Sequence, residues 1–175
     1  MTFYQSSPPA GPEAHLTWEP FMHEALRLAD MAEQRGDIPV GAVVVDAFGR
    51  VLGRGENRTI HGTDPTAHAE ILALRDACAR AGNHRLPGMV LVATLEPCIM
   101  CVGAVIQARL AGVVYAARDP KAGCLESCLE GASLPWSNHH FWIFGGVLRD
   151  ECSARLSGFF QRRREEKRLF KHAER

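Results

Sequence analysis

Met89-Val90-Leu91-Val92-Ala93-Thr94 is an apolar run of strand length, and it is followed at once by Leu95-Glu96-Pro97-Cys98-Ile99-Met100-Cys101. Thr94-Leu95-Glu96 closes the strand, and Pro97 suits a first helical position, where a missing N–H costs nothing. A helix is predicted over residues 98–108, with Val102, Val105 and Ile106 facing a sheet, and Gly112-Val113-Val114-Tyr115-Ala116 is the next strand.

The same punctuation extends outward. Upstream, Val40-Gly41-Ala42-Val43-Val44-Val45 turns through Asp46-Ala47-Phe48-Gly49 into Val51-Leu52-Gly53-Arg54-Gly55, a hairpin with one well-buried strand. Asp64-Pro65 opens a second helix that runs to Gly82, with Ile71, Leu72, Leu74 and Cys78 as its buried side. A first amphipathic helix runs from Thr17, as N-cap, to Gly36, with Phe21, Ala25, Leu28, Ala29 and Ala32 at helical spacing. Downstream, residues 117–140 are broken by Gly, Pro and Ser. Residues 141–144 form a last exposed strand, and 150–171 a long final helix with Cys152, Leu156, Phe159 and Phe160 on its apolar side. Alternating strands and helices after a hairpin predict an α/β fold of about five strands, covered by helices on both faces and parallel in its second half.

The 175 residues, 46% apolar and 23% charged, suit one soluble domain with a real core. Residues 1–16, with Ser6-Ser7-Pro8-Pro9 and Gly11-Pro12, are expected to be a loose lead-in to a single domain over 17–175. No apolar run approaches 18 residues and no signal-peptide pattern opens the chain, so no membrane association and a cytoplasmic location are expected. Cys78, Cys124, Cys128 and Cys152 show no disulfide-framework spacing and are expected to stay reduced. Net charge is zero, but residues 161–175 hold seven Lys/Arg against three Glu, which places +4 there and −4 in the rest of the chain.

His68-Ala69-Glu70, then 26 residues, then Pro97-Cys98-Ile99-Met100-Cys101 offers one imidazole, two thiolates and an uncommitted carboxylate. Cysteines three apart at a helix start share a face, and the helix's positive end favours thiolates. A structural zinc takes four protein ligands, whereas three leave a place for water. A lone C-x-x-C also serves structural zinc or redox sites. With His-x-Glu and the preceding Pro it matches the zinc deaminase signature, in which the acid moves protons without ligating the metal.

These motifs resemble the cytidine-deaminase-like superfamily, and within it the bacterial tRNA-specific adenosine deaminases, which convert wobble adenosine to inosine. The resemblance runs from about Trp18 to about Arg164, through Ile38–Val43, Asn57-Arg58, Asp64–Glu70, Thr94–Cys101, Val113–Gly123 and Asn138-His139. The Asp64–Glu70 letters are shared with guanine deaminases; Arg118–Gly123 and the Phe159-Phe160…Arg162-Arg163 helix end favour the tRNA enzymes. The resemblance implies a three-layer α/β/α sandwich with a mixed central sheet, a homodimer, and zinc held by His68, Cys98 and Cys101 with Glu70 as proton shuttle. It also implies that Asn57 contacts the flipped base, that backbone groups of Ala69 and Cys98 support the developing charge, and that Asp119 and Asn138 lie near the sugar. Asn57 could instead cap a strand end, and Asp119 and Asn138 could form turns.

The implied partner is the tRNA anticodon arm, contacted through Lys121, His140, Phe159, Arg162 and Arg163, although charge-rich helix ends are commonly just solvated. Two stretches depart from the family pattern. Cys124-Leu125-Glu126-Ser127 stand where small residues and Gly-Ser are usual, and His140-Phe141-Trp142 where Arg follows Asn-His. The alternatives are a deaminase of a free base or nucleoside, guanine or a pyrimidine, and a non-catalytic zinc-containing RNA-binding subunit. The latter would lack the acid that Glu70 supplies.

Overall fold

Successive side chains of a strand go to opposite faces, and here both faces are apolar. In the computed structural model, which describes residues 15–173, the strands are β1 (Gly41–Val45), β2 (Val51–Glu56), β3 (Val90–Leu95), β4 (Gly112–Ala117) and β5 (Trp142–Gly145). The α-helices among the described residues are α1 (Glu19–Gln34), α2 (Ala69–Ala81), α3 (Ile99–Ala108) and α4 (Arg149–Ala173). Val43, Val45, Val90, Val92, Val114 and Ala116 pack with Met22 and Leu26 of α1 and Cys152 of α4. Ala42, Val44, Leu91, Ala93, Val113 and Tyr115 pack with Ala73 and Leu74 of α2 and Val102 and Val105 of α3. The result is three layers, helices on either side of one sheet.

The sheet order is β2-β1-β3-β4-β5. β1 is antiparallel to β2 and to β3, while β3–β4 and β4–β5 are parallel, so the sheet is mixed and β2, β3, β4 and β5 all point the same way. The carboxyl ends of β2 and β3 therefore share one end of the sheet. α2 and α3 begin there, where open α/β sheets place ligands.

Several boundaries differ from expectation, each for a local reason. α2 starts at Ala69 rather than at Asp64-Pro65, because Asp64 closes a separate turn by accepting the N–H and hydroxyl of Thr66 at 2.8 and 2.7 Å. His68 is extended, with φ −68 and ψ 148, and is the N-cap. The buried face of α2 is Ala69, Ala73 and Ala77, with Leu74; Ile71, Leu72 and Cys78 are only half-buried. The alanines lie on Gly53 and Gly55 of β2, where an added Cβ would stand 2.2 Å from the Ala73 carbonyl oxygen and 2.0 Å from that of Ala69. Only glycine beneath alanine lets helix and strand approach this closely.

α3 is capped by Cys98, so Pro97 precedes the cap instead of occupying the first helical position. α1 is capped by Trp18 rather than Thr17, and the Trp18 indole is buried 5.8 Å from the Trp142 ring. Along α4, Cys152 and Phe159 are buried, Leu156 is half-buried, and Phe160 is 44% exposed, off the apolar side expected for it. Of the lead-in expected over residues 1–16, residues 1–14 lie outside the described residues, while Leu16 packs against the cluster beneath α1. All six cysteines are free thiols, and no helix among the described residues is long and apolar enough to cross a membrane.

Candidate metal and substrate site

His68 at the N-cap of α2, and Cys98 and Cys101 at the N-cap and third position of α3, converge from two helix starts. His68 Nδ1 lies 3.6 Å from each sulfur, and the sulfurs are 3.7 Å apart. A tetrahedral zinc with Zn–S near 2.3 Å and Zn–N near 2.0–2.1 Å spaces two sulfurs about 3.8 Å apart and a sulfur and nitrogen about 3.6 Å apart. The triangle therefore fits zinc without rearrangement, and thiolate with imidazole is a donor set that zinc favours. Among the described residues this is the cluster of three or more potential ligands whose donor atoms meet within 4.8 Å. The hydrogen bond with Cys101 is the main cause that pulls Cys98 down to about 3, aided by His68. The same bond, followed by burial, pushes Cys101 up. His68 is raised above the ordinary imidazole value chiefly by its bond to Cys98.

Glu70, in the first turn of α2, is 4% exposed, and burial pushes its carboxyl up. It borders a cavity of about 170 Å³ lined also by His68, Cys98, Asn57, Thr59, Asp119 and Ala122. A larger depression of about 440 Å³ between α2 and α3 contains none of the three ligands or Glu70. Asn57 is buried at the cavity and donates its amide to Thr59 Oγ1 at 3.2 Å, leaving its carbonyl oxygen for a ligand. Ala69 is the first residue of α2; its N–H is an end-of-helix donor without an intrahelical acceptor, and its side chain is fully buried.

Two buried carboxylates fix the loops that wall the cavity; Asp37 lies outside the sequence motifs, and Glu96 lies within Thr94–Cys101 but was expected only to close the strand. Asp37 accepts the N–H groups of Ile60 and His61 at 2.7 and 3.1 Å, on one side. Glu96 accepts the N–H groups of Asp119, Leu125, Glu126 and Ser127 on the other. A signal for Glu96 was present in the sequence: an acid at the end of an otherwise apolar, buried strand. That burial alone would raise its carboxyl, but the Ser127 hydroxyl and the backbone donors outweigh it and hold the group low.

Other expected residues are placed less directly. Asp119 lines the cavity, but its Oδ1 accepts the N–H groups of Lys121 and Ala122, which is the turn-forming role. Asn138 is exposed and does not line the cavity; its carbonyl oxygen accepts from Arg109 at 2.8 Å. Lys121 and His140 are exposed. Phe159 is 6% exposed, which leaves little ring for a base to stack on, and Arg162 is paired with Glu33. Arg163 is exposed beside Glu166 at 3.3 Å.

Comparison with known proteins gives concordant matches. The family described as the cytidine and deoxycytidylate deaminase zinc-binding region matches residues 17–117. The tRNA-specific adenosine deaminase of Haemophilus influenzae is 47% identical over 87% of this chain and 88% of its own length, and that of Bacillus subtilis is 40% identical over 86% and 92%. A solved structure from a study of A-to-I editing by tRNA:A34 deaminases is similar with a TM-score of 0.75 at 43% identity, over 78% of this chain and 99% of that one. Guanine deaminase from Nitrosomonas europaea gives a TM-score of 0.72 at 29% identity, over 82% and 84%.

Proposed function

Because the chain belongs to the cytidine and deoxycytidylate deaminase family, we propose that it hydrolyses the exocyclic amine of the wobble adenosine of tRNA, yielding inosine and ammonia. The observation that carries the chemistry is the zinc-fitting triangle of His68, Cys98 and Cys101 beside a buried Glu70 at one cavity. The relatives named tRNA-specific adenosine deaminase, similar over most of both chains, support the substrate. Bound zinc supplies water acidified to a pKa of about 7 as the nucleophile. Glu70 would take a proton from the attacking water and give it to the purine ring nitrogen, and would then carry a second proton, from the hydroxyl newly added to the ring carbon, to the amine, which leaves as ammonia; its raised affinity for a proton suits a group that must hold one in transit. Asn57 presents its free carbonyl oxygen to the edge of the flipped base, and the Ala69 and Cys98 backbone supports developing charge.

The anticodon arm approaches over Lys121, His140 and the exposed basic residues of α4 within 161–170, including Arg163. Phe159 packs into the body of the protein instead, while Arg162 is exposed and paired with Glu33 at the surface. The working unit is a homodimer in the cytoplasm. Structural similarity to a guanine deaminase keeps one rival, a free-base deaminase, open to test. Purified protein is incubated with tRNA carrying wobble adenosine and, separately, with guanine, cytosine and adenosine. Inosine in the tRNA, with binding that weakens steeply with salt, is expected; ammonia from a free base with the tRNA unchanged overturns the assignment.

A further inference from the structure

We propose that Glu96 is a positioning residue: it holds residues 119–127 against the metal-bearing turn and so fixes the wall that the substrate base meets. The inference rests on the deaminase reading. Glu96 is 2% exposed, and both of its oxygens are occupied by one loop. Oε1 accepts the N–H groups of Leu125, Glu126 and Ser127 at 3.0, 2.8 and 2.9 Å. Oε2 accepts the Asp119 N–H at 3.1 Å and the Ser127 hydroxyl. The loop is also stitched to the ligand turn, because Gly123 forms a bridge with Cys98 and the Cys124 N–H donates to the Pro97 carbonyl at 2.8 Å. A Cβ on Gly123 would stand 2.4 Å from the Glu96 carboxyl carbon, so the backbone sits directly on the carboxylate. Asp119 and Ala122 join Glu96 in the cavity lining, and Asp119 ties itself to Ala122, so 119–122 is held as a unit.

This also accounts for the departure at Cys124-Leu125-Glu126. What the carboxylate recognises there is backbone N–H, which any residue but proline supplies. The Glu126 side chain is spent on Arg118 at 3.4 Å.

Glu96→Gln separates wall-holding from general stability. The amide oxygen can stay with the three N–H groups of 125–127, but the NH₂ then faces the Asp119 N–H, donor against donor, and Asp119 lets go. Zinc-loaded Glu96→Gln is expected to keep wild-type zinc content, to exchange the Asp119 amide at least about tenfold faster, and to raise KM for wobble-adenosine tRNA about tenfold as the wall loses its set position. Ser127→Ala, which loses only the hydroxyl donor, is expected to shift both in the same direction by about threefold. Asp46→Ala, in the distant β1–β2 turn, lowers stability with KM unchanged. Wild-type KM and Asp119 exchange in Glu96→Gln, or a fall in kcat alone that tracks lost folded fraction, overturns the proposal. If Glu96→Gln does not fold, unchanged exchange and KM in Ser127→Ala overturn it. If the wild type forms no inosine in tRNA, the deaminase reading fails on its own account, and wild-type Asp119 exchange in the variants then overturns the wall-holding role separately.

Discussion

Gly55→Ala tests whether the contact between β2 and α2 sets the metal site. The new Cβ would lie 2.0 Å from the Ala69 carbonyl oxygen and 2.5 Å from the Ala73 nitrogen, both backbone atoms. Contacts of this kind are not found below 3.0 Å, so the start of α2 must withdraw by at least about 1 Å. Ala69 directly follows the ligand His68, and metal–ligand distances tolerate shifts of only about 0.2 Å. Alanine for glycine in a strand would otherwise gain roughly 0.4–1 kcal/mol through the unfolded chain. A net loss therefore measures the clash, expected at about 1–3 kcal/mol as for overpacked cores. Gly53→Ala makes a similar clash, 2.2 Å from the Ala73 oxygen, about one helical turn farther from the ligand. Urea unfolding of the zinc-loaded proteins and zinc competition with a chromogenic chelator read the two effects. Both variants should lose stability, but Gly55→Ala should also lose about tenfold or more in zinc affinity and Gly53→Ala much less. Wild-type zinc affinity and stability in Gly55→Ala would refute the claim that this contact positions His68.

Glu70→Gln keeps the shape of the side chain and should retain full zinc by metal analysis, while single-turnover inosine formation falls about 10²–10⁴-fold. Cys98→Ala should lose zinc and turnover together; zinc retained there would show that the ligand set is wrong. Because His68 is raised by its partner Cys98, zinc has to displace its proton already above the ordinary imidazole value of about 6.5. Zinc affinity should therefore decline as pH falls through that raised value, and calorimetry in buffers of different ionisation enthalpy should show proton release. Burial alone would raise Asp46, but the Arg50 N–H and guanidinium and the Phe48 N–H outweigh it and hold the carboxyl low. Its contribution is thus present above the ordinary Asp range and lost as pH falls through the lowered value. Asp46→Ala should cost roughly 1–3 kcal/mol at pH 7, and in urea melts the gap to wild type should close as the solution is acidified.

The candidate metal ligands were legible because their spacing is chemistry: one imidazole and two thiols that could hold one ion have to converge, whatever the surrounding elements do, and their donor atoms do meet. The sheet was legible for a similar reason, since β-branched runs such as Val43-Val44-Val45 and Val90-Leu91-Val92 supply two apolar faces that helices must cover. The helix starts were less so. Asp64-Pro65 carries every local signal of a helix start, yet Asp64 spends its carboxylate on Thr66 and the helix waits for Ala69. The larger apolar residues of α2 suggested the wrong buried side, because the glycines of β2 select its alanines, a choice made by tertiary approach and not by hydrophobicity. Trp18 rather than Thr17 stands at the cap position of α1, with its indole buried and no side-chain cap bond. The loop-holding role of Glu96 was not legible, because its partners lie 23 to 31 residues away and are mostly backbone N–H groups, which leave no letter in the sequence.

The most direct test of the central claim is to run the reaction with wobble-adenosine tRNA in water enriched in heavy oxygen and to weigh the inosine released by nuclease digestion. Hydrolytic deamination at the His68–Cys98–Cys101 site places solvent oxygen on the ring carbon that bore the amine. Inosine from the wild type should therefore carry the label in proportion to the enrichment, and Glu70→Gln should form almost none. Unlabelled inosine, labelled inosine formed equally well by Glu70→Gln, or no inosine while a free base is deaminated would contradict the account.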